Sequence, residues 1–212
     1  MRTPQPRYTE TWDPSILVSF IQKLDDNGKL SLPQLTKKLV CLLALTKACR
    51  SSDICALDIN GMSFTHDGVI FKRLHLSKTS RKGFLPDSFF PKYDAESSLC
   101  VVRVLKEYIS RTSEYRLSSK LILGTVKPYN PVSTNTVSRW IIEFMQLAGI
   151  DTALFKSHSV RSSATSKASQ RGMSLIDIQR AADWSSPNTF LKFYKRYYSH
   201  SGFGTTVLSS SN

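Results

Sequence analysis

Apolar residues recur three and four positions apart along most of the chain, which is the spacing of helices with one buried face. Pro33 opens an almost continuous apolar stretch, LTKKLVCLLALTKA, and we place this helix at the centre of the core. Start and stop signals predict further helices. In the first half of the chain they begin after Asp13-Pro14, at ICAL with an N-cap supplied by Ser51-Ser52-Asp53, and at SSLCVVRVLKEYI.

Four more helices are predicted in the second half. One runs through VSTNTVSRWIIEFMQLAG, with Ser133 or Thr134 as cap and Gly149 as stop, and the next from about His158 to Arg171, with Ser157 as cap and Gly172 as stop. A short helix follows Ser174, which pairs with Asp177 as in a capping box, and the final helix starts at Ser186-Pro187.

One segment departs from this spacing, between His66 and Phe90. HDG and SKTSRK are polar turns, and each precedes an apolar run, VIFKRLHL and GFLPDSFF, so the segment predicts antiparallel strands. We therefore expect one mainly α domain with a small antiparallel β-sheet, an α+β class, and we find no internal repeat. Residues 1–30 are assigned to an N-terminal arm, loose through residue 12, and a short helix.

The charge of the chain is unusual, with 29 Lys+Arg against 16 Asp+Glu and a formal net charge of +13. Such an excess favours polyanionic partners, of which nucleic acid is the commonest large one. No stretch approaches the roughly 20 apolar residues of a membrane span. The N-terminus MRTPQPRYTE also lacks the apolar core of a signal peptide, so we expect an intracellular protein that does not enter membranes.

Cysteine and histidine usage adds two expectations. The four cysteines (Cys41, Cys49, Cys55 and Cys100) form no CxxC pair, and three of them lie in apolar runs, which is typical of reduced, buried side chains. The four histidines are scattered without metal-ligand spacing. We therefore expect no zinc site.

Two cationic groups lie at the start of one predicted helix. His158 and Arg161 are three residues apart, so both project from one face of its first turn, where the helix dipole disfavours cations. A phosphate bound between them would remove that conflict. The H-x-x-R spacing is weak support by itself, because it often arises by chance in so basic a chain.

Three other residues have a structural as well as a functional interpretation. Arg50 stands between two helices that would hold it rigidly, but it could instead form only an ion pair with Asp53. Lys78 lies in the turn SKTSRK, where a solvated lysine is the alternative. Trp184 follows an apolar helix, and a role in the core is the default for it.

The stretch WSSPNTFLKFYKRYY gathers three tyrosines and three basic residues near the C-terminus. Its structural interpretation is a basic amphipathic helix whose aromatic side chains complete a core. Basic residues exceed acidic ones throughout the last quarter of the domain, as a DNA-facing surface requires. The candidates for DNA contact there are Lys156, Lys167, Arg180, Lys192, Lys195 and Arg196.

Taken in chain order, these motifs resemble the catalytic domain of tyrosine recombinases over about residues 33–198. That family uses an Arg, Lys, His-x-x-Arg, His or Trp, and Tyr series. Here the series is Arg50 followed by SSDI, Lys78 in a β-turn, HSVR, AADW ending at Trp184, and TFLKFY ending at Tyr194. The last two motifs are most similar to recombinases of eukaryotic mobile elements, with DIRS-type retrotransposons nearest and Cryptons next.

The chain departs from the family pattern at two places. Asp53 stands where the family commonly has glutamate. Tyr194 lies ten residues beyond Trp184, one more than the usual bacterial spacing, which a one-residue insertion in the SSPN loop would explain. Tyr197 and Tyr198 remain alternatives, but only Tyr194 matches the KFY ending, so we expect it to be the nucleophile.

The resemblance implies cleavage and rejoining of DNA strands. Tyr194 would attack a phosphodiester and leave a 3′-phosphotyrosyl bond and a free 5′-hydroxyl, so that rejoining needs no nucleotide cofactor. Arg50 and Arg161 would bind the non-bridging oxygens, where charge builds in the transition state, in place of a metal ion.

The resemblance also gives roles to the other motif residues. His158 would be the base or the orienting group, because a tyrosine with a pKa near 10 needs help in losing its proton. Lys78, on a mobile hairpin, would protonate the leaving 5′-oxygen. Trp184 would position the phosphate through its indole N–H while packing against the tyrosine helix.

In the same way, the resemblance implies double-stranded DNA as partner, a monomer in solution and a homo-oligomer, a tetramer, on DNA. Residues 31–198 would be the catalytic domain and 199–212 a flexible tail. Only about thirty residues precede the core helix, so the family's N-terminal DNA-clamping domain would be absent, or the sequence would be an isolated catalytic fragment. Val207-Leu208 in the tail could dock on a neighbouring protomer, or the tail could simply be disordered. A eukaryotic mobile element would place the protein in the nucleus.

Two other functions fit the same residues. A type IB topoisomerase shares the constellation and the phosphotyrosine but relaxes DNA instead of exchanging strands, and the mobile-element motifs disfavour it. An inactive DNA-binding module descended from a recombinase would be favoured by the loss of one catalytic residue. All six candidates are present, which ranks this function third.

Overall fold

The structure, a computed structural model, describes residues 10–73 and 87–184. Within these ranges the chain forms seven α-helices, three short 3-10 helices and three strands. The main elements are α1 (Ser15–Gln22), α2 (Leu32–Lys47), α3 (Ser51–Ala56), β1 (Met62–Phe64), β2 (Gly68–Phe71), β3 (Ser88–Pro91), α4 (Val101–Thr112), α5 (Thr134–Leu147), α6 (Ser159–Gln170) and α7 (Leu175–Ala181). This confirms the predicted fold class. The predicted turn SKTSRK, the predicted final helix and the tail lie outside the described residues.

Helix α2 forms the centre of the core, as its apolar sequence predicts. Leu35, Leu39 and Leu43 have no exposed surface, and the helix packs against α4, α5 and α6. A reciprocal capping box fixes its start: the backbone N–H of Gln34 donates to Ser31 Oγ, and the N–H of Ser31 donates to Gln34 Oε1. The packing of α2 against three helices fixes the place of its C-terminal end, where the candidate site begins.

The three strands form one antiparallel sheet in the order β1-β2-β3. Phe71 and Phe90 are buried on its inner face and meet edge to face, with ring centroids 5.9 Å apart. The antiparallel strands expected between His66 and Phe90 are therefore present, whereas the sequence pattern did not predict β1. Strand β2 ends at Phe71, so the chain leaves the sheet just before the segment that carries Lys78.

The N-terminal segment is not loose over its described part, which corrects the expectation for residues 11 and 12. Thr11 and Trp12 are buried, and the indole N–H of Trp12 donates to Ser159 Oγ over 2.8 Å. Ser163 Oγ in turn donates to the carbonyl of Trp12 over 2.8 Å. Since α1 also buries Leu17 in the same core, this segment helps to fix the first two turns of α6.

Two helices start as the sequence predicts. Ser133 caps α5 by accepting the backbone N–H of Thr136, and Ser174 caps α7 by accepting that of Asp177. Helices α2, α5 and α7 each begin after a serine whose side chain accepts the backbone N–H three residues further on, and this signal is purely local.

Two other starts differ from the prediction. Helix α3 begins at Ser51 with Arg50 at the N-cap, so Asp53 lies in the first turn and accepts the backbone N–H of Arg50 over 3.0 Å. Helix α6 begins at Ser159 with His158, not Ser157, at the N-cap, and no side chain caps it.

All four cysteines are free. Two of them, Cys41 and Cys100, are fully buried as expected, and Cys49 and Cys55 are half-buried. Among the described residues, no helix is both long and apolar enough to cross a bilayer.

Candidate active site

Arg161 joins the ends of two helices. It lies in the first turn of α6, is 3% exposed, and donates from Nη1 to the carbonyl of Ala48 and from Nη2 to the carbonyl of Ala182. Ala48 is the left-handed C-cap of α2, and Ala182 is the C-cap of α7. Helix C-termini carry carbonyls with no intrahelical partner and a partial negative charge, so a guanidinium is a favourable ligand for both.

Trp184 completes the surroundings of Arg161. The guanidinium carbon lies 4.7 Å from the centre of the indole ring, within the range of a cation–π contact. Trp184 is buried in a small cluster with Ala48, Ile178 and Ala182, apart from the main core. The structural interpretation of this tryptophan is therefore correct, and it also places the ring against the candidate catalytic arginine.

Asp183, next to Trp184 in the chain, is the acidic centre of an ionic cluster with Lys47 and Arg73. Its Oδ1 lies 3.2 Å from Lys47 Nζ at the end of α2, and its Oδ2 accepts from Arg73 Nη2 over 3.0 Å. Lys47 Nζ also donates to the carbonyl of Ala181 over 3.2 Å. One carboxylate thus connects α2, the chain leaving β2 and the turn after α7.

Arg50 and His158 lie at the N-caps of α3 and α6. Arg50 is 38% exposed, and its Nη1 is 3.8 Å from Asp53 Oδ2, so the ion pair weighed as an alternative role exists but is long. His158 is exposed. Both side chains are therefore accessible to a ligand, unlike the guanidinium of Arg161.

The pKa of Cys49, in the short segment between α2 and α3, responds to several charged groups around it. Burial raises the pKa of its thiol to about 12; Asp53 and Asp183 add to the rise, while Lys47 and Arg161 oppose it. Cys49 is therefore a thiol at neutral pH and a poor nucleophile. The same interactions show that charged groups from four separate parts of the chain meet around this segment.

The described candidates for DNA contact have intramolecular partners. Lys156 Nζ donates to the carbonyl of Thr152 over 2.8 Å, and Lys167 Nζ lies 3.0 Å from Asp13 Oδ2. Arg180 is exposed, with Nη1 3.7 Å from Asp177 Oδ1. Their contact with DNA stays a prediction. Outside the described residues lie Lys78, Lys192, Tyr194, Lys195 and Arg196.

The sequence pattern did not indicate the cluster of Lys47, Arg73 and Asp183. Lys47 is one basic residue at the end of an apolar helix, Arg73 lies within a predicted strand, and Asp183 belongs to the AADW motif, where the tryptophan drew the interest. A basic residue in the last helical turn was the one available signal, and it names no partner.

Comparison with known proteins gives the family. Residues 17–200, well over half of the chain, match the Phage integrase family, and the chain belongs to that family. It is 28% identical over 159 residues to an integrase/recombinase xerD homolog of Selenomonas ruminantium. That match covers 74% of this chain and 46% of the relative.

Solved structures share the fold. XerH site-specific recombinase, in a pre-cleavage complex with difH substrate, superposes with a TM-score of 0.69 at 14% identity, covering 93% of this chain and 52% of that one. XerA recombinase gives a TM-score of 0.64 at 17% identity, covering 93% of this chain and 63% of that one. The chain thus has the fold of a tyrosine recombinase catalytic domain and spans less than two thirds of the length of these relatives.

Proposed function

We propose that this domain cleaves and rejoins double-stranded DNA through a 3′-phosphotyrosyl intermediate on Tyr194. The observation that carries the proposal is the set of contacts around Arg161. It binds the carbonyl of Ala48, two residues before Arg50, and lies against the ring of Trp184. The segment that leads to Arg50 and the motif residues Arg161 and Trp184 thus lie at one place, although Arg50 and Arg161 are far apart in the sequence.

The arginines supply the electrostatic part of the reaction. Each guanidinium presents planar N–H donors to the non-bridging oxygens, where negative charge grows as the phosphorus becomes pentacoordinate. Arg50 is half-buried, and the accessible part of its side chain meets the phosphate directly. Arg161 is oriented by its bonds to the carbonyls of Ala48 and Ala182, and because a guanidinium has five N–H groups, the same side chain also donates to the phosphate.

Proton transfers complete the reaction. The Tyr194 oxygen forms a bond to phosphorus, its proton passes to His158 or to a group that His158 orients, and the bond to the 5′-oxygen breaks. Lys78 gives a proton to that leaving oxygen, and the reverse reaction with another 5′-hydroxyl rejoins the strand. Because guanidiniums take the place of a metal, cleavage proceeds in excess EDTA.

A covalent-trapping assay tests this function. The full chain is incubated with a nicked suicide duplex that carries the termini of its own element, and the covalent adduct is measured beside DNA binding. Tyr194→Phe should abolish the adduct and leave binding nearly unchanged, while Tyr197→Phe and Tyr198→Phe should retain it. An adduct that persists in Tyr194→Phe and maps to another tyrosine would show that the register is wrong, and none with the wild-type chain would contradict the function.

The biological setting is the finer part of the proposal. The AADW and TFLKFY motifs favour a eukaryotic mobile element of the DIRS or Crypton kind, integrated in the nucleus by site-specific recombination. Strand exchange distinguishes this from a type IB topoisomerase, whose product would be relaxed plasmid. An inactive DNA-binding module would give neither product.

Assembly on DNA is proposed to use the C-terminal tail. A shallow groove of about 560 Å³ lies between α1, α2 and α6, with apolar walls that include Val18, Leu45, Ala168 and Met173. Val207-Leu208 is the apolar pair in the tail and is of a size to fit such a groove on a second copy. So small a contact buries little area, so we propose a monomer in solution and a tetramer on paired DNA sites.

A further inference from the structure

We infer that Asp183 is a positioning residue that fixes Arg73, at the base of the predicted Lys78 hairpin, to the segment leading to Tyr194. The inference rests on the proposed function, because it concerns how two catalytic groups are held in relation to each other. It does not make Asp183 a catalytic residue, since the carboxylate acts through Arg73 and Lys47.

The contacts of Asp183 define the connection. Its two carboxylate oxygens are divided between two cations, with Oδ1 3.2 Å from Lys47 Nζ and Oδ2 3.0 Å from Arg73 Nη2. The exposed fractions are 8% for the Lys47 side chain, 12% for Arg73 and 18% for Asp183. Removing one partner of ion pairs this shielded from water leaves the other charges buried without compensation, so the three side chains are held to each other and the segments that carry them are held together.

The positions of the three residues in the chain explain what is held. Arg73 lies two residues after β2 and five before Lys78, at the base of the predicted hairpin. Asp183 lies one residue before Trp184 and eleven before Tyr194. Lys47 is the last residue of α2, three before Arg50. The cluster therefore joins three residues that precede the catalytic candidates Arg50, Lys78 and Tyr194 by three, five and eleven positions in the sequence.

The backbone conformation at Asp183 indicates that the carboxylate itself is needed at this position. Its φ is +50°, in the left-handed region that most residue types avoid. Glycine would adopt this conformation without strain, but it has no side chain to bind Arg73 or Lys47. Asparagine adopts it at least as readily as aspartate and differs in charge, so Asp183→Asn removes the ionic contacts without straining the turn.

Glu143 provides a matched control. It also joins two cations, with Oε2 2.6 Å from Lys37 Nζ and Oε1 3.7 Å from Arg139 Nε, and it links α2 to α5. None of these three residues belongs to a recombinase motif or adjoins the hairpin. Glu143→Gln therefore removes a carboxylate bridge between two cations from another part of the fold, although this bridge is more exposed, with 38% of the Glu143 side chain accessible.

The first measurement does not depend on catalysis. Hydrogen exchange of the free, full-length protein should become faster in residues 74–86 in Asp183→Asn and in Arg73→Gln, and should stay at the wild-type rate there in Glu143→Gln. Arg73→Gln keeps the Asp183–Lys47 pair, so it serves if Asp183→Asn folds poorly. Unchanged exchange in this segment in both folded variants, or an equal rise in Glu143→Gln, would overturn the inference whether or not the protein cleaves DNA.

The second measurement separates positioning of Lys78 from a general structural effect. A 5′-bridging phosphorothiolate has a thiolate leaving group that needs no proton, so a defect in protonation disappears on this substrate. On ordinary DNA, Asp183→Asn should form the covalent adduct at least about tenfold more slowly, as partial loss of a general acid requires. On the phosphorothiolate its rate should return close to the wild-type rate, as that of Lys78→Ala should.

The outcomes distinguish the inference from the proposed function. If wild type and Lys78→Ala behave as described but Asp183→Asn is equally slow on both substrates, Asp183 does not act through the hairpin. If wild type forms no adduct on either substrate, the proposed function fails, and the exchange measurement alone decides whether Asp183 holds the hairpin.

Discussion

The guanidinium of Arg161 lies against the indole ring of Trp184, with 4.7 Å between the guanidinium carbon and the ring centre. Two backbone carbonyls hold its N–H groups at the same time. The ring limits movement along one direction and the carbonyls fix the plane, so the orientation of this cation is set before DNA arrives. Preorganised charge of this kind is the largest contribution to many enzymatic rates.

Trp184→Phe should therefore slow covalent adduct formation clearly while lowering the free energy of unfolding only a little. Phenylalanine keeps a ring beneath Arg161 but is smaller and a weaker cation–π partner. Trp184→Ala should also cost about 3–5 kcal/mol of unfolding free energy because it leaves a cavity. Urea unfolding and single-turnover cleavage measure the two effects. The control is Trp140→Phe in α5, also buried, which should lower stability and leave the rate of the folded protein unchanged. Equal losses of rate in both variants would argue against a special role for Trp184.

Arg50→Ala should slow cleavage by on the order of 10²–10³ without unfolding the domain. Its side chain is 38% exposed and its contact with Asp53 is 3.8 Å long, so the structural loss should be small. Arg50→Lys should recover little of the rate, because an ammonium cannot bind two phosphate oxygens in one plane. The single-turnover rate and the thermal midpoint are the measurements. Normal cleavage by Arg50→Ala would reduce the residue to a structural ion pair.

The sequence predicted the fold class, the central helix and the serine-capped helix starts, because each depends on residues a few positions apart. Arg50 and His158 were not predictable as N-caps, since arginine and histidine are not among the usual N-cap residues; at α3 the capping bond runs instead from the Arg50 backbone N–H to Asp53, and α6 has no side-chain capping bond. The sequence also indicated Arg161 but not its partners. Those are backbone carbonyls 113 and 21 residues away, and an alanine gives no sign that its carbonyl is needed.

Lys38 provides a prediction on pH dependence. The side chain in α2 has no exposed surface, and its Nζ has no hydrogen-bond partner among the described residues. Burial lowers the pKa of Lys38 from the ordinary 10.5, while Asp26 and Glu96 oppose the change. The unfolded chain thus binds this proton more tightly than the folded one, so the contribution of Lys38 to stability rises with pH up to about 10.5.

Lys38→Met should accordingly be more stable than wild type at neutral pH, and the difference should shrink as the pH rises. Urea unfolding between about pH 7 and about pH 10 measures it, and comparing variants at each pH cancels the titration of other groups. Lys37→Met, at the neighbouring position, loses the ion pair to Glu143 and should not be stabilised. A difference that stays constant across the range would mean that Lys38 is charged in the folded protein at every pH tested.

Deletion of residues 201–212 should leave DNA binding by the single protein intact and abolish the higher-order complexes on paired sites. Met173→Asp should do the same from the receiving side, because it places a charge in the apolar groove at a residue that is already 48% exposed. Sedimentation with and without DNA is the measurement. Assembly of the truncated protein as efficient as that of the full chain would exclude a role for the tail.

The partners of Arg161 have a consequence for any mutational survey of this domain. Every residue type supplies the same main-chain carbonyl, so no side-chain exchange at Ala48 or Ala182 deletes the bond itself. In a saturation library, activity would be lost with most substitutions of Arg161. At Ala48 and Ala182 it would be lost only with side chains that are too large or that change the backbone conformation. Replacing those amide links by esters, through chemical synthesis, would weaken the acceptors individually and reveal a dependence that genetics cannot register.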